Sequence, residues 1–161
     1  VSLCDTPGFM VGPDNEEEAA VRRMSRFFVA GAAITVPLVT LFLRKGYGLG
    51  AMAMAGGSFA KPSYSAAWPT GEFGGMGLEG AVNLGFKKEL DAEQDPAEKK
   101  ALFDQLLEQM YNQGKATEAA SFLEIDAVID PKDSRKVIIN AINAARKKGH
   151  NQSGQRFVDT W

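Results

Sequence analysis

The sequence predicts an α/β domain with a mostly parallel sheet, and three observations carry that prediction. Short apolar runs of β type alternate with stretches whose apolar residues recur at helical spacing. The links between them are short, as in layered α/β proteins with parallel pairing. With 161 residues, 45% of them hydrophobic, the chain can build one core but not two full enzyme domains.

Residues 1–4 read as a buried strand. Asp5-Thr6-Pro7-Gly8-Phe9 follows as a tight turn, because Pro fixes φ and Gly admits a positive one. Gly12-Pro13 continues the loop. Asp14 is the expected N-cap, with Glu17 completing a capping-box-like pair. The helix then runs to about Ala33 and buries Ala20, Met24, Phe27, Phe28, Gly31 and Ile34. After Thr35-Val36-Pro37, residues 38–43 form an apolar strand. The segment from Gly46 to Gly50 is a glycine turn leading into a short helix at 51–55, which Gly56-Gly57 ends. A strand at 64–68, a second glycine-rich loop at 69–77 and a helix from Leu78 to about Leu84 come next.

From Phe86 onward the chain is charged and helical. Residues 96–111 place Leu102, Phe103, Leu106, Leu107 and Met110 on one face. Gly114 separates them from a helix at 115–122, and 125–129 is a short strand. Asp130 caps a last helix with Pro131 in its first turn. That helix turns Val137, Ile138, Ala141, Ile142 and Ala145 inward and ends at Lys147-Lys148-Gly149. Residues 1–150 therefore form one domain and 151–161 a polar tail. An opening in mid-strand, with no Met, is expected of a piece of a longer protein.

Composition excludes several function classes. Eighteen basic residues against 20 acidic give a net charge of −2, where a nucleic-acid or membrane-surface binder needs a basic excess. The apolar content is too high for a disordered chain. A lone cysteine, Cys4, excludes a disulfide framework and suggests a reducing compartment. The single histidine, His150, lies in the polar tail, so no metal site is expected. The uncharged run at 27–43 is just long enough to cross a bilayer. Pro37 interrupts it, however, and its halves read as a helix and a strand.

Ten of the 17 glycines lie between Gly46 and Gly80. A strand, glycine turn and helix in succession present backbone N–H groups that can hold an oxyanion. Close packing of helix on sheet is the alternative reading of the same glycines. Asp5-Thr6-Pro7-Gly8 also looks like the magnesium-side motif of GTP-binding proteins. The chain contains neither a G-x-x-x-x-G-K-[ST] loop nor Asn-Lys-x-Asp, and Gly114-Lys115 is followed by Ala116. Ser58, Ser63 and Ser65 have no His partner. Glu72 and Glu79 flank the second glycine loop, as acid/base groups or as capping carboxylates. An enzyme built from these residues works through backbone amides and a reactive cofactor.

Several motifs in order carry a family resemblance: Asp5-Thr6-Pro7-Gly8-Phe9, Val36-Pro37, Arg44-Lys45-Gly46-Tyr47-Gly48, Ala67-Trp68-Pro69-Thr70-Gly71-Glu72, Met76-Gly77-Leu78-Glu79-Gly80-Ala81-Val82, and Ile129-Asp130-Pro131 before Arg135. The sequence resembles the C-terminal half of biotin-dependent acyl-CoA carboxyltransferases, such as the β subunits of propionyl-CoA and acetyl-CoA carboxylases. The resemblance implies a crotonase-like fold of ββα units, incomplete at its N-terminal side. It also implies carboxyl transfer from N-carboxybiotin to the α-carbon of an acyl-CoA. A biotin-dependent decarboxylase that runs the transfer in reverse is the alternative.

Biotin on a carrier domain, a biotin carboxylase and the acyl-CoA are the implied partners. A homo-oligomer, a hexamer in the full-length protein, is implied too, in the cytoplasm or a mitochondrial matrix, with neither nucleic acid nor membrane. The isolated piece is expected to be inactive. The family's biotin-side oxyanion amides fall on Leu49 and Gly50, where Gly-Ala is more usual; Gly48 or Ala51 could take over either place. Met52 stands where propionyl-type members carry an acidic residue near the acyl pocket, which hints at a longer acyl group. Phe9, Arg44 and Glu79 complete the expected biotin- and substrate-binding set.

Overall fold

Residues 1–147 are described by a computed structural model. The expected stop at Lys148-Gly149, His150, the boundary at 150 and the tail at 151–161 lie outside the described residues. Five parallel-paired strands make the sheet: β1 (Ser2–Thr6), β2 (Val39–Tyr47), β3 (Tyr64–Ala67), β4 (Glu72–Gly74) and β5 (Ala127–Val128). Their order is β1-β2-β3-β5, with β4 also on β2. Because β2 is covered on both faces, Val39 to Phe42 is buried without alternation, as in central strands of parallel sheets.

Two strand expectations change. β2 extends to Tyr47 because β4 takes over from β3 as its partner, with Lys45 opposite Glu72 and Tyr47 opposite Gly74. Gly46 and Tyr47 therefore belong to the strand and not to a turn. β4 itself lies in what reads as a glycine loop; Glu72-Phe73-Gly74 has no apolar run, and its pairing makes it a strand. β1 is an edge strand, so Val1 and Leu3 are exposed and only Cys4 is buried.

The helices are α1 (Pro13–Glu17), α2 (Ala20–Ala32), α3 (Gly48–Met54), α4 (Leu78–Gly85), α5 (Lys87–Ala92), α6 (Pro96–Gln113), α7 (Ala116–Ser121) and α8 (Ser134–Lys147). The first expected helix is two helices. Gly12 is the N-cap residue of α1 and Asp14 caps nothing. Pro13 takes the first helical position, which needs no N–H. Ala19, with φ 54, separates α1 from α2. α2 then passes close to the turn that follows α3, since a Cβ on Gly31 would stand 2.8 Å from the Gly56 Cα. Phe27, expected in the core, is largely exposed. Asp95 caps α6 through the Ala97 and Glu98 N–H groups. Asp130 caps the 3-10 turn that leads into α8, as expected.

Between the sheet and α3, Cys4, Phe42, Ala51, Ala55, Ala67 and Phe73 form the core, joined by Ala116, Ala119 and Ile125. Phe42 meets Phe73 at 4.9 Å and Phe59 at 5.2 Å between ring centroids. Alanines on the inner face let α3 sit low on the strands. Burial, and then the Asp5 charge, push the Cys4 thiol up to about 12. Thiolate is the reactive form, so at pH 8 Cys4 is expected to resist alkylation in the folded protein and to react in denaturant. Mass spectrometry of iodoacetamide-treated protein checks this. No helix among the described residues is long and apolar enough to cross a membrane.

Candidate active site

The strongest candidate lies where β2 runs into α3. β2 delivers the chain in extended form at Tyr47 (φ −102, ψ 133), and Gly48 opens the helix with φ 55. No side chain caps α3. Gly48, Leu49 and Gly50 therefore carry N–H groups with no carbonyl four residues back in the helix. Gly50, Ala51 and Ala53 are buried, whereas Leu49 is 59% exposed. The first turn of α3 thus reaches the surface with its amides uncapped.

Two backbone segments grip this turn. A Cβ on Gly50 would stand 2.9 Å from the Gly8 Cα and 3.3 Å from the Phe9 N. A Cβ on Gly48 would stand 2.6 Å from the Gly75 carbonyl oxygen. At these two positions the close-packing reading of the glycines applies: the missing Cβ atoms let neighbouring backbone in. Phe9, on the turn against Gly50, also meets Phe28 of α2 edge-on at 6.1 Å.

Asp5 braces the approach. The β1–β2 register shifts between Cys4 and Thr6, and the Asp5 carboxylate fills the irregularity. It accepts the Lys45 N–H at 3.1 Å and the Arg44 Nε at 3.2 Å. Asp5 is thus engaged by protein donors, and no cluster able to hold a metal ion occurs among the described residues. Burial pushes the Asp5 carboxyl up, but the Arg44 and Lys45 hydrogen bonds and charges outweigh it and hold the group below its ordinary value. Its stabilising effect is then complete above the unfolded value of about 3.9 and fades as pH falls through the lower folded value. Asp5→Asn is expected to lower the unfolding midpoint at pH 7 and to leave less of an acid-side decline below pH 4, as thermal scans across pH would show. The pair is exposed, so the effect is small.

A profile of the carboxyl transferase domain matches residues 1–158. The chain belongs to the carboxyl transferase domain family. The carboxyltransferase subunit of propionyl-CoA carboxylase from Haloferax mediterranei is 32% identical over 157 residues, 97% of this chain and 30% of that protein. Among solved structures, a single-chain, multi-domain long-chain acyl-CoA carboxylase is 61% identical with a TM-score of 0.76, over 87% of this chain and 14% of that one. The transcarboxylase 12S hexamer, solved with methylmalonyl-CoA and methylmalonic acid bound, is 32% identical with a TM-score of 0.82, over 98% of this chain and 30% of that one. The chain spans 27% to 30% of the length of the curated relatives it matches. Its parallel α/β layers are those of the crotonase-like fold.

Within this carboxyl transferase domain the expected site residues divide. Phe9, Gly48, Leu49 and Gly50 come together at the first turn of α3. Ala51 is fully buried in the core cluster, so its side chain is a packing element. Met52 is half-buried and lines a cleft of about 460 Å³ with Phe59, Ser65, Leu123 and Asp126. Arg44 is held by Asp5 at 3.2 Å. Glu79 lies exposed in the first turn of α4 beside Tyr111, whose phenol burial and the Glu79 charge push up. Sequence reading missed the contact of Tyr47 with Glu72, whose carboxylate accepts the phenol hydrogen at 2.7 Å. Glu72 stands out as a carboxylate flanking the second glycine loop, but nothing local ties it to Tyr47, which reads as part of a turn.

Proposed function

We propose that this carboxyl transferase domain is the biotin side of an acyl-CoA carboxyltransferase, in which the Leu49 and Gly50 amides stabilise negative charge on the biotin ureido oxygen. The uncapped, backbone-gripped first turn of α3 carries this reading. Donors held by packing need no reorganisation as charge develops. Leu49 is largely exposed, so its side chain has room to turn away from a planar group at the turn. Ala51 sits one position too far along the helix to offer an unpaired N–H, which favours Leu49 and Gly50 over a pair slipped to Ala51.

Bound biotin supplies the carboxyl group and, after its release, a ureido nitrogen able to take the acyl α-proton. The chain's own part is to hold and polarise the ureido oxygen and to shape the acyl side. We extend the proposal to a longer acyl group on the apolar side chain of Met52; Phe59 and Leu123 line the same cleft, and Ser58, Ser63, Ser65, Glu124 and Asp126 make the rest of its wall polar. The 61% identity to a long-chain acyl-CoA carboxylase supports this. Assembly of the full-length protein as a hexamer, with biotin brought by a carrier domain, belongs to the same proposal; the likeness to the transcarboxylase 12S hexamer supports the assembly.

Full-length protein supplied with carboxylated biotin and a ladder of acyl-CoA chain lengths tests it. Transfer that increases with chain length is expected. Transfer confined to acetyl- and propionyl-CoA would remove the acyl assignment, and no transfer to any thioester would remove the function. Carboxyl release from a malonyl-type thioester onto biotin, without the forward reaction, would instead indicate the decarboxylase direction.

A further inference from the structure

We propose that Tyr47 and Glu72 form a strut that positions the first turn of α3. The inference rests on the function proposed above, that the amides of this turn act on the ureido oxygen. Tyr47 ends β2 and is the residue from which α3 departs. Its ring is 2% exposed, and its hydroxyl donates to Glu72 Oε2 at 2.7 Å. Glu72 opens β4, the strand paired with this end of β2. The bond therefore ties the last residue before the helix back across the sheet.

The need for such a tie follows from the next residue. Gly48 is the most permissive choice of backbone and stands at φ 55, so local sterics alone do not fix the direction in which α3 leaves the strand. Tyr47 is placed to supply that restraint. Its main chain is also a packing surface, since a Cβ on Gly8 would stand 3.3 Å from its carbonyl oxygen. A swing of Tyr47 would disturb both the Gly8–Phe9 turn that grips Gly50 and the place of Gly48 against the Gly75 carbonyl. The phenol is protonated throughout the neutral range at its ordinary value, and burial, then the Glu72 hydrogen bond, push it higher still. Glu72 is held in turn by a backbone bridge to Lys115 before α7. Tyr47 and Glu72 are thus positioning residues that act through the helix.

Substitutions in the full-length enzyme test the strut. Tyr47→Phe and Glu72→Ala are each expected to lower kcat about tenfold, with KM for the acyl-CoA changed less than about twofold (a tenfold loss is roughly 1.4 kcal/mol of barrier). Glu72→Gln retains an acceptor and is expected to keep kcat within about threefold. The Tyr47→Phe, Glu72→Ala double variant should be no slower than either single one, because all three lack the same bond. Should Tyr47→Phe fail to fold, Glu72→Asp carries the test; its shorter arm must lose kcat where Glu72→Gln keeps it. Unchanged kcat in the single variants, losses that multiply in the double, or Glu72→Gln as slow as Glu72→Ala would overturn the strut. A wild-type protein that transfers nothing would overturn the function beneath it, which separates the two failures.

Discussion

Gly50→Val is expected to reduce carboxyl transfer by the full-length protein by about 10²–10³-fold, the usual result of losing one oxyanion donor. The cause is steric. Even the first added carbon would stand 2.9 Å from the Gly8 Cα and 3.0 Å from its carbonyl carbon. Both are backbone atoms, with no flexible side-chain end to yield. Either α3 or the Gly8–Phe9 turn must move, and the two branches of valine enlarge the displacement. Overpacking of this kind costs about 1–3 kcal/mol of stability, so the variant should fold with a lowered Tm. Gly50→Ala adds a methyl alone and should fall between wild type and valine. A folded Gly50→Val enzyme with kcat within a few-fold of wild type would remove the first turn from the chemistry.

Phe42→Ala is expected to produce the largest loss of stability, about 3–5 kcal/mol as for other buried Phe-to-Ala changes. Phe42 is completely buried, and both Phe59 and Phe73 pack on it. At roughly 2–4 °C per kcal/mol for a domain of this size, Tm should drop by about 10 °C. The cavity would also open beneath the site, because Gly46, on the strand that feeds α3, lies so near the same ring that an added Cβ would stand 3.1 Å from it. Urea unfolding of the full-length protein gives the number directly. A loss below about 1 kcal/mol would show that the aromatic cluster is not the keystone of this core.

Much of the fold was legible because its main elements follow local rules. The first half of β2 is an apolar run broken only by Thr40, Pro37 lies just before it, and Pro96 and Pro131 mark helix beginnings. What was not legible depends on pairing at a distance. Glu72-Phe73-Gly74 becomes a strand only beside Lys45–Tyr47, and β2 is longer for the same reason. Ala19, an ordinary helix former, sits in a left-handed break that no local pattern announces. At the candidate site, the family motifs drew attention to Leu49 and Gly50. They could not show that Gly50 is small to admit Gly8 and Phe9, or that Ala51 faces the core. Arg44, expected in the biotin- and substrate-binding set, is held by Asp5, 39 residues earlier in the chain.

The central claim, that the first turn of α3 receives the ureido oxygen, is most directly tested by a structure of the full-length protein with biotin bound. The account predicts the ureido oxygen at about 2.7–3.1 Å from the Leu49 and Gly50 nitrogens, with the Leu49 side chain turned away. A ureido oxygen held by side chains, or by amides elsewhere in the protein, would contradict it.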